Sequence, residues 1–103
     1  MIDIVIASYN RIDHAYKLAQ SLSIYGKYVK KIVIVDSSEN FEKIKPNSSI
    51  INHVYSTHKN QPYQRYLGAS LCCSDIVLFL DDDMSLIDNS LFIVLIILLT
   101  FCE

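Results

Sequence analysis

Three consecutive aspartates, Asp81, Asp82 and Asp83, form the densest chemical feature of the sequence. Adjacent carboxylates repel one another unless solvent or a shared divalent cation takes up their charge. Hard oxygen ligands suit Mg²⁺ or Mn²⁺, which usually keeps waters and bridges to a substrate phosphate. Alternate residues of an extended chain point the same way, so Asp81 and Asp83 share a face. A solvated acidic turn is the plainer reading of the same triplet. Asp36 is a second candidate, because it ends the hydrophobic run Ile32-Val33-Ile34-Val35. An acid in that position often accepts hydrogen bonds from a ribose or a base, although Asp-Ser is also a common turn cap. Arg65 could meet a phosphate, or pair with Asp75 or the aspartate triplet as an ordinary surface ion pair. His14, His53 and His58 are scattered without ligand spacing, and none is assigned a catalytic role. His14 reads as an exposed helix residue and the other two as strand or loop residues. The chain holds no Ser-His-Asp arrangement, no GxGxxG and no phosphate-loop motif, which counts against a dinucleotide dehydrogenase or a P-loop ATPase.

The elements that must position these residues follow from the apolar pattern. Ile2 to Ala7 is rich in β-branched residues and too short for a helix. Polar Ser8-Tyr9-Asn10-Arg11 ends it. From Ile12 the period changes: Ile12, Ala15, Ala19 and Leu22 fall on one helical face. Asn10 or Asp13 is expected to cap this helix and Gly26 to stop it. Ile32 to Val35 reads as a strand buried on both faces. Residues 41–49 are polar, carry Pro46, and read as a short helix or loop. Ile50 to Ser56 reads as an edge strand. Pro62 suits the first turn of a helix running to about Cys73, with Tyr66, Ala69 and Cys73 on one face. Ile76 to Leu80 is the last strand, and it runs directly into the aspartates. The alternation predicts an α/β fold, a Rossmann-like three-layer parallel sheet. Ligands of such sheets bind beyond the carboxyl ends of the strands. Three strand ends carry polar groups, at residues 8–11, 36–38 and 81–83, and a parallel sheet brings all three to one edge.

Composition narrows the remaining choices. The 103 residues fit one domain. With 51% hydrophobic and 19% charged residues, the chain is not a disordered tail. A net charge of −2 argues against a nucleic-acid partner. Residues 1–48 carry a balance of +2 and residues 49–103 a balance of −4. Cys72, Cys73 and Cys102 form neither a disulfide framework nor a zinc spacing, and read as reduced, mostly buried thiols. The N-terminus shows no basic region ahead of a long apolar stretch. The expected location is therefore cytoplasmic, or the cytoplasmic face of a membrane. Leu91 to Cys102 is almost wholly apolar over twelve residues. A membrane-spanning helix needs roughly 20. A buried helix or strand is the default reading of this stretch, residues 86–103 forming an apolar C-terminal helix or tail, and association with a membrane or a partner chain is the alternative.

Four segments together resemble the family 2 glycosyltransferases. Ile4-Val5-Ile6-Ala7-Ser8-Tyr9-Asn10-Arg11 resembles the family's opening strand and loop. Ile32-Val33-Ile34-Val35-Asp36-Ser37-Ser38 resembles its second strand with a terminal aspartate. Asn60 to Ser74 resembles the segment that carries Ala-Arg-Asn-x-Gly. Phe79-Leu80-Asp81-Asp82-Asp83 resembles the strand leading into the Asp-x-Asp motif. The matches come in the family's order and cover roughly residues 2–85.

The resemblance implies a partial GT-A fold, with residues 1–85 as the nucleotide-sugar-binding half. By match, Ala7, Tyr9 and Arg11 would line the pocket of a uridine or other base, and Asp36 would hydrogen-bond the base. Arg65 would lie near the nucleotide. Asp81 belongs to the same acidic motif, Asp82 would approach the ribose, and Asp83 would hold Mn²⁺ or Mg²⁺ against the diphosphate. The implied donor is a nucleotide sugar, a UDP-sugar first, and the implied acceptor a sugar, lipid or polysaccharide. Gln61 stands where the family often has Gly, Tyr66 where it often has Asn, and Ser37 where a second acidic or polar residue is frequent, which leaves the nucleotide open. The family's acceptor-binding half and general base fall outside the match. These residues are therefore expected to bind the donor without completing the transfer alone.

Overall fold

A computed structural model describes residues 1–82. The order is β1 (Ile2–Ser8), α1 (Ile12–Ser23), β2 (Val29–Asp36), β3 (Ile51–Tyr55), α2 (Gln61–Ser70) and β4 (Ile76–Asp81). The four strands form one sheet in the order β3-β2-β1-β4, and every pair is parallel. The α/β, Rossmann-like sheet expected from the alternation is therefore present, with one helix on each face.

Side-chain alternation divides the core between the two helices. Ile2, Ile4, Ile6, Ile32, Ile34 and Ile51 pack with Ala15, Leu18, Ala19 and Leu22 of α1. Val5, Val33 and Val35 form the smaller cluster on the other face, against Leu67 and Cys72. Strands β1 and β2 are covered on both sides, which is why Ile4 to Ala7 and Ile32 to Val35 are unbroken apolar runs. β3 lies at the sheet's edge, as its weaker pattern indicates.

α2 approaches closely because of Gly68. A Cβ there would drive into Val5 Cγ1 and come within 3.1 Å of Val35 Cγ2. The buried side of this helix carries Gln64 and Gly68. The face of Tyr66, Ala69 and Cys73 is not the packed one, since Tyr66 is 70% exposed and Cys73 is also exposed.

Several local expectations are corrected. The N-cap of α1 is Arg11, with no side-chain cap, so neither Asn10 nor Asp13 serves. Asn10 instead takes a left-handed conformation at φ 53°, which Asn tolerates better than most residues. α1 ends at Ser23 with Ile24 as its cap, ahead of Gly26. β2 begins at Val29, three residues earlier than its apolar run. Residues 41–49 take the loop form of the two expected for them. α2 stops at Ser70 rather than near Cys73. The reason is Asp3, whose carboxylate draws the next stretch of backbone away. Its Oδ2 accepts from the backbone N–H groups of Cys73 (2.9 Å) and Ser74 (3.0 Å), and its Oδ1 accepts from the Ser74 hydroxyl at 3.0 Å. Burial pushes the Asp3 carboxyl upward. The Ser74 and Cys73 amides, the Ser74 hydroxyl and the Lys31 ammonium outweigh that effect and hold its pKa below the usual value. Cys72 is half-buried and Cys73 exposed, so the expectation of mostly buried thiols does not hold for this pair.

Candidate functional site

The carboxyl ends of the parallel strands lie on one edge, and the loops that leave them meet there. The first is the β1–α1 loop. Its left-handed turn at Asn10 is held from β2: Asn10 N–H donates to Ser38 Oγ at 2.8 Å, and Glu39 N–H donates to Asn10 Oδ1 at 3.1 Å. The Tyr9 hydroxyl donates to Glu39 Oε1 at 2.8 Å. These bonds fix the orientation of Tyr9 and of the backbone that leads to Arg11.

The second contribution comes from β2. Asp36 is 1% exposed, and both its oxygens are engaged. Oδ1 accepts from the Ser38 amide at 2.9 Å and from the Ser38 hydroxyl, while Oδ2 lies 2.9 Å from His53 Nε2. His53 Nδ1 accepts from the Ile44 backbone N–H at 3.1 Å. The ring proton therefore sits on Nε2 and is donated to Asp36. A continuous chain of bonds thus runs from Asn10 through Ser38 and Asp36 to His53 and the 41–49 loop.

The third contribution is the start of α2. Asn60 caps it, its side chain accepting from Tyr63 N–H at 3.0 Å, and Pro62 occupies the first turn. One turn on, Gln64 Nε2 donates to the carbonyls of Ser8 (3.0 Å) and Val35 (2.9 Å). Those two carbonyls lie at the ends of β1 and β2, so a buried amide fastens the helix to both strands.

A cleft of about 340 Å³ opens between these loops, lined by Ala7, Ser8, Tyr9, Arg11, Lys59, Asn60, Gln61, Gln64 and Asp82. The buried Ser8 hydroxyl has no hydrogen-bond partner among the described residues. Arg11 Nη1 stands 3.8 Å from Asp82 Oδ1. Lys59 Nζ lies over the Tyr9 ring, 3.7 Å from its centroid. The lining thus combines an aromatic face, two cations, a carboxylate and several amide donors. That mixture suits a ligand with a flat polar ring and charged oxygens.

Four of the candidates from the sequence, Ala7, Tyr9, Arg11 and Asp82, come together in this cleft. Asp36 lies beneath the β1–α1 loop, outside the lining, with its carboxylate taken up by Ser38 and His53. Arg65 and Asp81 pair with each other at 3.6 Å on the surface, and neither lines the cleft. Asp83 and the apolar segment 86–103 lie outside the described residues. Among the described residues no group of three His, Cys, Asp or Glu side chains comes together as a metal-ligand set, and no helix is long and apolar enough to cross a membrane.

Sequence reasoning missed Lys59, Gln64 and His53. A polar residue one helical turn before Gly68 marks a helix side too close to the sheet for a bulky chain, and that signal points to Gln64. His53 carries no such signal, because its partner is chosen by strand register. No protein-family model matches the chain, and no curated protein matches it.

Proposed function

We propose that the cleft binds the nucleoside-diphosphate part of a sugar donor, and that the chain is the donor-binding half of a glycosyltransferase domain of the family 2 type. One observation carries this reading: Ala7, Tyr9 and Arg11 from the end of β1 and Asp82 from the end of β4 line a single cleft. These residues were singled out by two motifs far apart in the sequence.

In this reading Tyr9 offers a flat surface to the base, held by its bond to Glu39. Arg11, oriented by Asp82, supplies positive charge toward the diphosphate. Asp82 would approach the ribose, and the neighbouring Asp83 would hold Mn²⁺ or Mg²⁺. The donor chemistry fits, since such ions take one or two carboxylates and complete their shell with waters and substrate phosphates. When bound, the ion neutralises negative charge on the leaving diphosphate. The acceptor in this reading is a sugar, lipid or polysaccharide, and no residue of the described chain is assigned as its general base.

Calorimetric titration with UDP, with and without Mn²⁺, tests the proposal on the full chain and on Asp82→Asn and Asp83→Ala. Binding that needs Mn²⁺ and is lost in the variants is the expected result. Binding indifferent to Mn²⁺, or none to a demonstrably folded chain, would overturn it.

A further inference from the structure

The contact between Lys59 and Tyr9 assigns a second task to the cleft. Lys59 Nζ sits 3.7 Å from the centre of the Tyr9 ring, and both residues line the same opening. Tyr9 cannot easily turn aside, because its hydroxyl donates to Glu39 at 2.8 Å. Lys59 itself is exposed and forms no ion pair among the described residues. The other cation of the lining, Arg11, already faces Asp82. Among the described residues, the cleft therefore holds one ammonium whose interaction is with an aromatic face alone.

We propose that Lys59 is a placeholder on Tyr9 that makes the cleft select phosphorylated ligands over their unphosphorylated counterparts. This rests on the donor-binding reading above. A flat ligand ring stacking on that face of Tyr9 needs the volume that the ammonium fills. A ligand without a phosphate must displace Lys59 and gives nothing back. A ligand carrying a phosphate displaces it and then offers it a negatively charged partner. The lysine stem is long and flexible enough to move from the ring to a nearby anion. A charge pair replaces the cation–π contact, so displacement is compensated only for the phosphorylated ligand. Lys59 is thus a specificity-determining residue that acts with opposite sign on two related ligands.

That opposite sign is the test. Uridine and UDP are titrated by NMR into the full chain, as wild type, Lys59→Ala and Lys59→Arg, in the presence of chelator and again with Mn²⁺. Lys59→Ala is expected to bind uridine about two- to fivefold more tightly, the size of an exposed cation–π contact. The same variant is expected to bind UDP about three- to thirtyfold more weakly, the loss of a charge-assisted bond to phosphate less the ring contact that no longer has to be broken. Lys59→Arg keeps both the ring contact and the charge, and restores the wild-type order. If wild type binds UDP with Mn²⁺ but the alanine variant shifts both ligands in one direction, or neither, the placeholder is overturned and the donor reading stands. If the folded wild type takes up neither ligand in any condition, the donor reading falls and the placeholder falls with it.

Discussion

His53 Nε2 donates to Asp36 Oδ2 across 2.9 Å, with both side chains buried. The other ring nitrogen accepts from the Ile44 amide, so one imidazole ties the end of β2 to the 41–49 loop. His53→Phe preserves the ring and its tilted contact with Phe41, centroids 4.7 Å apart, but leaves the Asp36 oxygen and the Ile44 amide without partners. Losing a buried bond to a charged group costs about 1.5–3 kcal/mol. The urea midpoint of His53→Phe should fall accordingly, with the slope unchanged. An unaltered midpoint would mean that the pair contributes nothing to the fold.

Asp3 gives the chain a defined acid limit. Its folded pKa lies below the ordinary value of 3.8, so in acid the unfolded state binds the proton more readily than the folded one. The stabilisation is fully present above the unfolded pKa and is lost as pH falls through the folded pKa. Urea unfolding of wild type at pH 6 and at pH 3 should show that loss. Asp3→Asn should be less stable at pH 6, because its amide end cannot accept from the Ser74 and Cys73 groups as the carboxylate does. Its own difference between the two pH values should be smaller than that of wild type. An equal difference in the two proteins would remove Asp3 as the source.

Gly68 sets two effects against each other. Alanine is the better helix former by about 1 kcal/mol. Against this, the added Cβ would press into Val5 and Val35, which belong to the packed sheet. Overpacking of this kind costs about 1–3 kcal/mol, so Gly68→Ala is expected to lower stability on balance. Thermal unfolding of Gly68→Ala beside Gly68→Ala/Val5→Ala checks the cause. The second substitution should lose less when added to the first than it does alone, since it removes the side chain that clashes.

Much of this architecture is legible in the sequence because short apolar runs bounded by polar residues have few alternatives. β1, β2 and β4 announce themselves in this way, and their parallel order then places the ends at Ser8, Asp36 and Asp81 together. What escapes is whatever depends on distant partners. The end of α2 is invisible locally, because Leu71-Cys72-Cys73 continues a helical pattern and it is Asp3, at the far end of the chain, that claims the Cys73 and Ser74 amides. His53 meets Asp36 only because Ile34 registers with His53 and Asp36 with Tyr55 in the β2–β3 ladder. Lys59 reaches Tyr9 only because two loops converge on one sheet edge. The chemistry-bearing types could be picked out singly, but their grouping required the register.

The strand order also has a consequence for how the chain is born. Ile2 at the start of β1 pairs with Val29 on one side and with Ile76 on the other. During synthesis β1 can find β2, and β2 can find β3, while β4 is still inside the ribosome. Until β4 emerges, the nascent sheet carries β1 as an open edge, with its unpaired backbone groups available to any passing strand. The carboxyl end of β4 also supplies the last wall of the cleft, Asp82. Covering β1 and completing the cleft are therefore a single late event, in which β4 takes over from β1 as the edge strand of the described sheet.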